Sequence, residues 1–149
     1  MAALRPVVVL VEDNKILLKT YEQMFNSVKE LRAFRLAAFE TAWAAMEWLN
    51  AMSADETPAA ILLDWTMEGM TGLDMLVAIR KDPQLTRIPV IMATAKMGRL
   101  EVAEALARGA NDYMVKPINT KVLVQKLGRL ANPPPAAKAS PGQAGPAAG

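Results

Sequence analysis

Four short apolar runs in this chain each stop on a polar residue, and no other feature constrains the fold as tightly. Val7-Val8-Val9-Leu10-Val11 stops on Glu12 and Asp13, and Ala59-Ala60-Ile61-Leu62-Leu63 stops on Asp64. Pro89-Val90-Ile91-Met92-Ala93 stops on Thr94, and Tyr113-Met114-Val115 stops on Lys116 and Pro117. Each run is aliphatic or β-branched almost throughout, too short for a helix, and followed by an amphipathic stretch, so each reads as a strand buried on both faces. In an open parallel sheet the carboxyl ends of the strands share one edge, where ligands bind near the point at which the strand order reverses. That edge would gather Glu12, Asp13, Asp64, Thr94 and Lys116.

Helical patterns fill the gaps between the runs. Asn14 can cap a helix carrying Ile16, Leu17, Leu18, Tyr21, Met24 and Phe25 at spacings of three and four. Residues 32 to 39 read as a further strand, and Thr41 opens a helix with Trp43, Met46, Trp48 and Leu49. The stretch from 51 to 58 reads as loop. A third helix runs from about Leu73 to Lys81 and stops before Pro83, and a fourth spans 100 to 108 and ends at Gly109. Asn119 can cap a last helix with Leu123, Leu127 and Leu130 on its apolar side. Five strands alternating with five helices describe an α/β, doubly wound parallel sheet. From Asn132 the chain turns to Pro, Ala, Ser, Gly and Gln with nothing bulky to bury. Residues 1–131 therefore read as one domain and 132–149 as a flexible tail or linker.

Composition removes several chemistries. At 149 residues and 52% hydrophobic, the chain suits one domain with a real core. It has no Cys, so disulfides, thiolate metal sites and a Cys nucleophile are excluded, and no His, so a Ser-His-Asp triad and His-ligated zinc are excluded. A net charge of +2 from scattered Lys and Arg gives no support for direct nucleic-acid binding. The apolar run that meets Glu12 is too short for a signal peptide or a membrane span, which makes the cytoplasm the expected location, without membrane insertion.

Three carboxylates on one edge repel one another, so a cation must join them or some must protonate. With oxygen ligands alone, Mg²⁺ is the favoured ion, with Mn²⁺ as a substitute, and it leaves a position open for a phosphate oxygen. Against Mg²⁺ and the Lys116 ammonium, one carboxylate stays available as an oxygen nucleophile toward a phosphoryl group.

The stretches Val-Leu-Val-Glu-Asp-Asn at 9–14, Leu-Leu-Asp-Trp-Thr-Met-Glu-Gly-Met-Thr-Gly-Leu at 62–73, Pro-Val-Ile-Met-Ala-Thr-Ala at 89–95 and Gly-Ala-Asn-Asp-Tyr-Met-Val-Lys-Pro at 109–117 resemble a response-regulator receiver domain. The likeness is greatest to the single-domain chemotaxis response regulators and covers roughly residues 5 to 131. It implies a flavodoxin-like sheet of order 2-1-3-4-5 and a phosphorelay module rather than a metabolic enzyme, limited to its own phosphotransfer and slow dephosphorylation. It implies Asp64 as phosphoacceptor, charged by a sensor histidine kinase or a phosphotransfer protein. Asp13 and the main-chain carbonyl of Thr66 would ligate Mg²⁺, with Glu12 acting through water. Thr94 and Lys116 would hold phosphoryl oxygens, and Tyr113 is the aromatic switch. Thr66 and Lys96 stand where receivers vary and where the phosphate lifetime is tuned.

Two departures lie in the loop after Asp64: Glu68 where the family often has Pro, and Thr71 where Asp is common before Gly72. A dehalogenase-type phosphatase would need Asp-x-Asp after the first strand, but Glu12-Asp13 is followed by Asn14 and Lys15. A flavin or nucleotide binder would need a glycine-rich loop there, and Val11 to Lys15 has no Gly. The expected output is contact with a downstream protein through the fourth helix, fifth strand and fifth helix, involving Lys96, Arg99, Leu100, Tyr113 and Lys121. The alternative is the receiver piece of a longer regulator. Trp65, beside Asp64, should sense metal, while Trp43 and Trp48 should lie on a distant helix.

Overall fold

A computed structural model describes residues 5–95 and 98–131. The expectations placed on Lys96, on the side chain of Arg99 and on the 132–149 tail fall outside the described residues and side chains. The apolar runs become β1 (Val7–Val11), β3 (Ala60–Asp64), β4 (Val90–Thr94) and β5 (Asp112–Val115), with β2 (Arg35–Phe39) as the remaining strand. All pair in parallel, in the order β2-β1-β3-β4-β5. The three central strands, β1, β3 and β4, are buried at every position, which is why their sequences are continuously apolar instead of alternating. β2 and β5 are the edges and are only partly covered.

Alternate strand residues feed two cores. Val7, Val9, Val11, Ile61, Leu63, Val90 and Met92 pack against α2 (Ala42–Ala51), α3 (Gly72–Lys81) and α4 (Arg99–Ala107). Val8, Leu10, Leu62 and Ile91 pack on the other face against Leu18, Tyr21 and Phe25 of α1 (Lys15–Ser27) and Leu123 and Leu127 of α5 (Thr120–Ala131). A one-residue slip of any central strand would exchange its contributions to the two cores, so register is tightly specified. Truncating a central residue such as Leu62 to Ala would cost about 2–5 kcal/mol.

Caps fall where the sequence signals them. Asn14 Oδ1 accepts the Ile16 and Leu17 N–H groups, Thr41 Oγ1 accepts that of Ala44, and Asn119 Oδ1 accepts that of Val122. Two expectations need correcting. The strand expected over 32–39 begins only at Arg35, because Leu31–Ala33 form a 3₁₀ turn that drops Leu31 fully into the core. The 51–58 stretch holds a second such turn, Ala54–Glu56, and Ser53 donates its N–H to Glu56 Oε1 at 2.9 Å. No helix among the described residues is long and apolar enough to cross a membrane.

Candidate functional site

Because every strand is parallel, the carboxyl ends of β1, β3, β4 and β5 meet at one edge, and the expected side chains meet there. Glu12 follows β1 and is almost wholly buried, and its own N–H donates to the Phe39 carbonyl of the neighbouring edge strand at 3.0 Å. Its Oε2 accepts the Asn14 N–H at 3.1 Å, so the residue that caps α1 also orients the carboxylate. Asp64 ends β3 and is 4% exposed, whereas Asp13 is exposed at the mouth. Glu12, Asp13 and Asp64 each offer a ligand oxygen, all within 4.8 Å of one another. Oxygen-only donors at that spacing fit a hard divalent cation, with Asp13 facing the solvent from which an ion and its waters enter.

Lys116 reaches this cluster from the end of β5. Its Nζ donates to Asp64 Oδ1 at 2.7 Å and lies 3.0 Å from Glu12 Oε1. Burial alone would lower the pKa of this ammonium, but the bonds and charges of the two carboxylates outweigh burial and raise it, so Lys116 is charged throughout the neutral range. Burial raises the Glu12 pKa, the Asn14 N–H and Lys116 pull against that rise, and the neighbouring Asp64 charge adds to it. The Lys116 N–H donates to the Thr94 carbonyl at 2.8 Å, which ties the end of β5 to the end of β4. Thr94 is buried at the same edge.

The loop after Asp64 is held close to the strand. Gly72 N–H donates to the Trp65 carbonyl at 2.9 Å, and a Cβ on Gly72 would lie 2.1 Å from the Asp64 carbonyl oxygen, so this position admits only glycine. Thr71, in place of the family's Asp, caps α3: its Oγ1 accepts the Asp74 N–H, and Asp74 Oδ2 accepts the Thr71 N–H. Glu68 and Thr66 are both exposed in the loop. Gly69 takes a positive φ of 78°. A Cβ added there would be 3.7 Å from the Trp43 indole Nε1. Trp43 is therefore not on a distant apolar helix face as its spacing suggested; it is 65% exposed beside the loop that follows Asp64. Trp48 does turn inward, its ring 5.8 Å from that of Phe39.

Tyr113 is half-buried on β5, and the Lys126 ammonium lies 5.6 Å from its ring centroid. The same ammonium donates to Asp112 Oδ1 at 2.8 Å, and Arg129 pairs with Asp112 Oδ2. Sequence reasoning missed this cluster, since partners 14 and 17 residues apart on a strand and a helix leave no local pattern. Leu100 and Lys121 are exposed.

The family model for the response regulator receiver domain matches residues 8–128. The chemotaxis protein CheY of Pseudomonas aeruginosa is 43% identical over 70 residues, which are 47% of this chain and 56% of that protein; the match thus spans little more than half of the relative. Among solved structures, the receiver domain of a Pseudomonas aeruginosa sensor histidine kinase, with a magnesium ion coordinated in its active-site cleft, is similar at a TM-score of 0.73 and 25% identity, covering 85% of this chain and 97% of that one. The Mn²⁺-bound form of the response regulator Rcp1 is similar at a TM-score of 0.66 and 27% identity, covering 82% and 88%.

Proposed function

We propose that this chain, which belongs to the response regulator receiver domain family, is a phosphorylation-switched response regulator that accepts a phosphoryl group on Asp64. The observation that carries the reading is the meeting of a buried strand-end carboxylate with two further carboxylates and one ammonium: Asp64 with Glu12, Asp13 and Lys116. The donor is the phosphohistidine of a sensor kinase or phosphotransfer protein. In the transfer, an Asp64 carboxylate oxygen forms the new P–O bond as the donor's P–N bond breaks, and the leaving imidazole takes up a proton. Asp13, Asp64 and the Thr66 main-chain carbonyl would hold Mg²⁺ or Mn²⁺, with Glu12 acting through water, and the ion supplies positive charge against the equatorial phosphoryl oxygens. Lys116 adds a second positive group on the same side. The Thr94 hydroxyl then takes a phosphoryl oxygen, and Tyr113 responds to its movement. Slow loss of the acyl phosphate to water resets the module. The receiver comprises residues 1–131, with 132–149 as tail or linker. Output runs by protein contact through the face of α4, β5 and α5.

Acetyl phosphate with Mg²⁺ tests the assignment. The parent should gain one acid-stable, hydroxylamine-labile phosphoryl group, and Asp64→Asn should gain none. Undiminished labelling of Asp64→Asn would place the acceptor elsewhere.

A further inference from the structure

We propose that Trp43 is an anchor for the protein that delivers the phosphoryl group, so that the donor's footprint extends across the β3–α3 loop onto α2. The proposal rests on the reading of Asp64 as phosphoacceptor and identifies what covers that site during transfer. Asp64 is 4% exposed at the bottom of the edge, so a histidine on a folded partner reaches it only if the partner's surface lies over the surrounding rim. Besides Leu100 in the first turn of α4, at 85%, two large apolar side chains stand exposed on that rim: Ile16 in the first turn of α1, at 76%, and Trp43 in the first turn of α2, at 65%. Both helices begin directly after strands whose ends meet at Glu12, because the Glu12 N–H is bonded to Phe39.

Trp43 stands outside the core, with its indole beside Gly69 in the β3–α3 loop, five residues past Asp64. An indole left two-thirds in water contributes little to the fold, whereas the same group covered at an interface ranks among the strongest binding contacts. The rim is also polarised. Exposed Lys15 and Lys19 flank Ile16 on α1, and exposed Glu40, just before α2, and Glu47, on α2, flank Trp43. A matching donor presents its phosphohistidine between a carboxylate-rich side, which meets α1, and a cationic side with an apolar slot, which meets α2.

Two donors that share a P–N bond separate contact from chemistry. One is phosphoimidazole, which has no protein surface. The other is the autophosphorylated kinase core that transfers fastest to the parent in a profile of the source organism's histidine kinases. Trp43→Ala should lower kcat/KM for the kinase donor by about tenfold or more, with phosphoimidazole labelling within twofold of the parent. Trp43→Phe should recover most of the loss, and Trp43→Glu should lose more than Trp43→Ala. Equal losses with both donors would mean that Trp43 acts through the Gly69 loop on the site itself, and an unchanged kinase rate would mean that the donor does not touch it; either result overturns the proposal. A parent labelled by phosphoimidazole but by no kinase would also overturn it. A parent labelled by neither donor would instead refute the phosphoacceptor reading.

Discussion

Lys116 lies against the carboxylates whose charge a divalent ion would also offset, so the ammonium and the ion would oppose one another at this edge. Lys116→Met removes the charge and keeps most of the volume. The Nζ atom lies 2.7 Å from Asp64 Oδ1 and 3.0 Å from Glu12 Oε1. An ion seated on Asp64 at about 2.1 Å from oxygen would sit roughly 4.5 Å from Nζ. Repulsion between charges of +1 and +2 at that distance is about 1.8 kcal/mol at the dielectric constant of water and about 7 kcal/mol at an effective value near 20. The edge is open at Asp13, so the lower figure is the safer bound, and it corresponds to about twentyfold in affinity. Isothermal titration at fixed ionic strength should therefore show Lys116→Met binding Mg²⁺ at least about twentyfold more tightly than the parent. In EDTA the same variant should be about 1–3 kcal/mol less stable, less than the full cost of breaking a buried pair because the site is partly wet, and Mg²⁺ should restore more stability to it than to the parent. Unchanged or weaker Mg²⁺ binding would show that Lys116 does not oppose the cation.

The raised pKa of Glu12 gives the stability of the metal-free protein a definite sign with pH. The folded chain takes up this proton at higher pH than the unfolded chain, so stability should rise as pH falls from the raised value toward the ordinary 4.5, and Mg²⁺ affinity should fall across the same window. Thermal melts in EDTA should lose that component in Glu12→Gln. Lys116, raised above 10.5, keeps its full contribution below that value and loses it only at higher pH, so it adds no slope near neutrality. Gly72→Ala forces a methyl group onto the Asp64 carbonyl oxygen and should cost about 2–4 kcal/mol together with most acetyl-phosphate labelling. Arg80 donates to the carbonyls of Gly109, Thr86 and Ile88 and to Asn111 Oδ1. Arg80→Ala should cost about 2–3 kcal/mol in denaturant unfolding, and Arg80→Lys should recover under half, since one ammonium cannot span that fork. Thr94→Ala should still be phosphorylated on Asp64, while beryllofluoride-induced amide shifts no longer reach Tyr113.

The central strands were legible because burial on both faces leaves an uninterrupted aliphatic run, and the residues ending them were legible because parallel pairing sends all those ends to one edge. The order of the strands was not contained in the periodicity; it followed from the family resemblance, and the pairing of β1 with both β2 and β3 bears it out. The expected strand over 32–39 starts too early because Phe34, buried at the end of a turn, carries the same apolar signal there as it would in a strand. Trp43 was misread for a related reason. Its spacing fits the apolar side of α2, yet Ala42, Ala45 and Leu49 already fill that side, and the indole is left outside.

Long-range polar contacts tie the two ends of β4 and β5 differently. Arg80 holds the C-terminal end of α4 through Gly109, and Asn111 Oδ1, which accepts from Arg80, also accepts the Val90 N–H where β4 begins. At the other end, β4 and β5 are joined by the Lys116 N–H to the Thr94 carbonyl, between the two residues proposed to grip a phosphoryl group. A group that pulled on both would strain the strands only at their carboxyl ends, because their starts are tied to α3 by a guanidinium with four acceptors. Displacement would then concentrate at the N-terminal turn of α4 and at Tyr113, whose ring already faces the Lys126 ammonium that α5 shares with Asp112. The proposed confinement of the switch to α4, β5 and α5 would thus follow from where the clamp lies, at the starts of β4 and β5, away from the bond between Lys116 and Thr94 at their carboxyl ends.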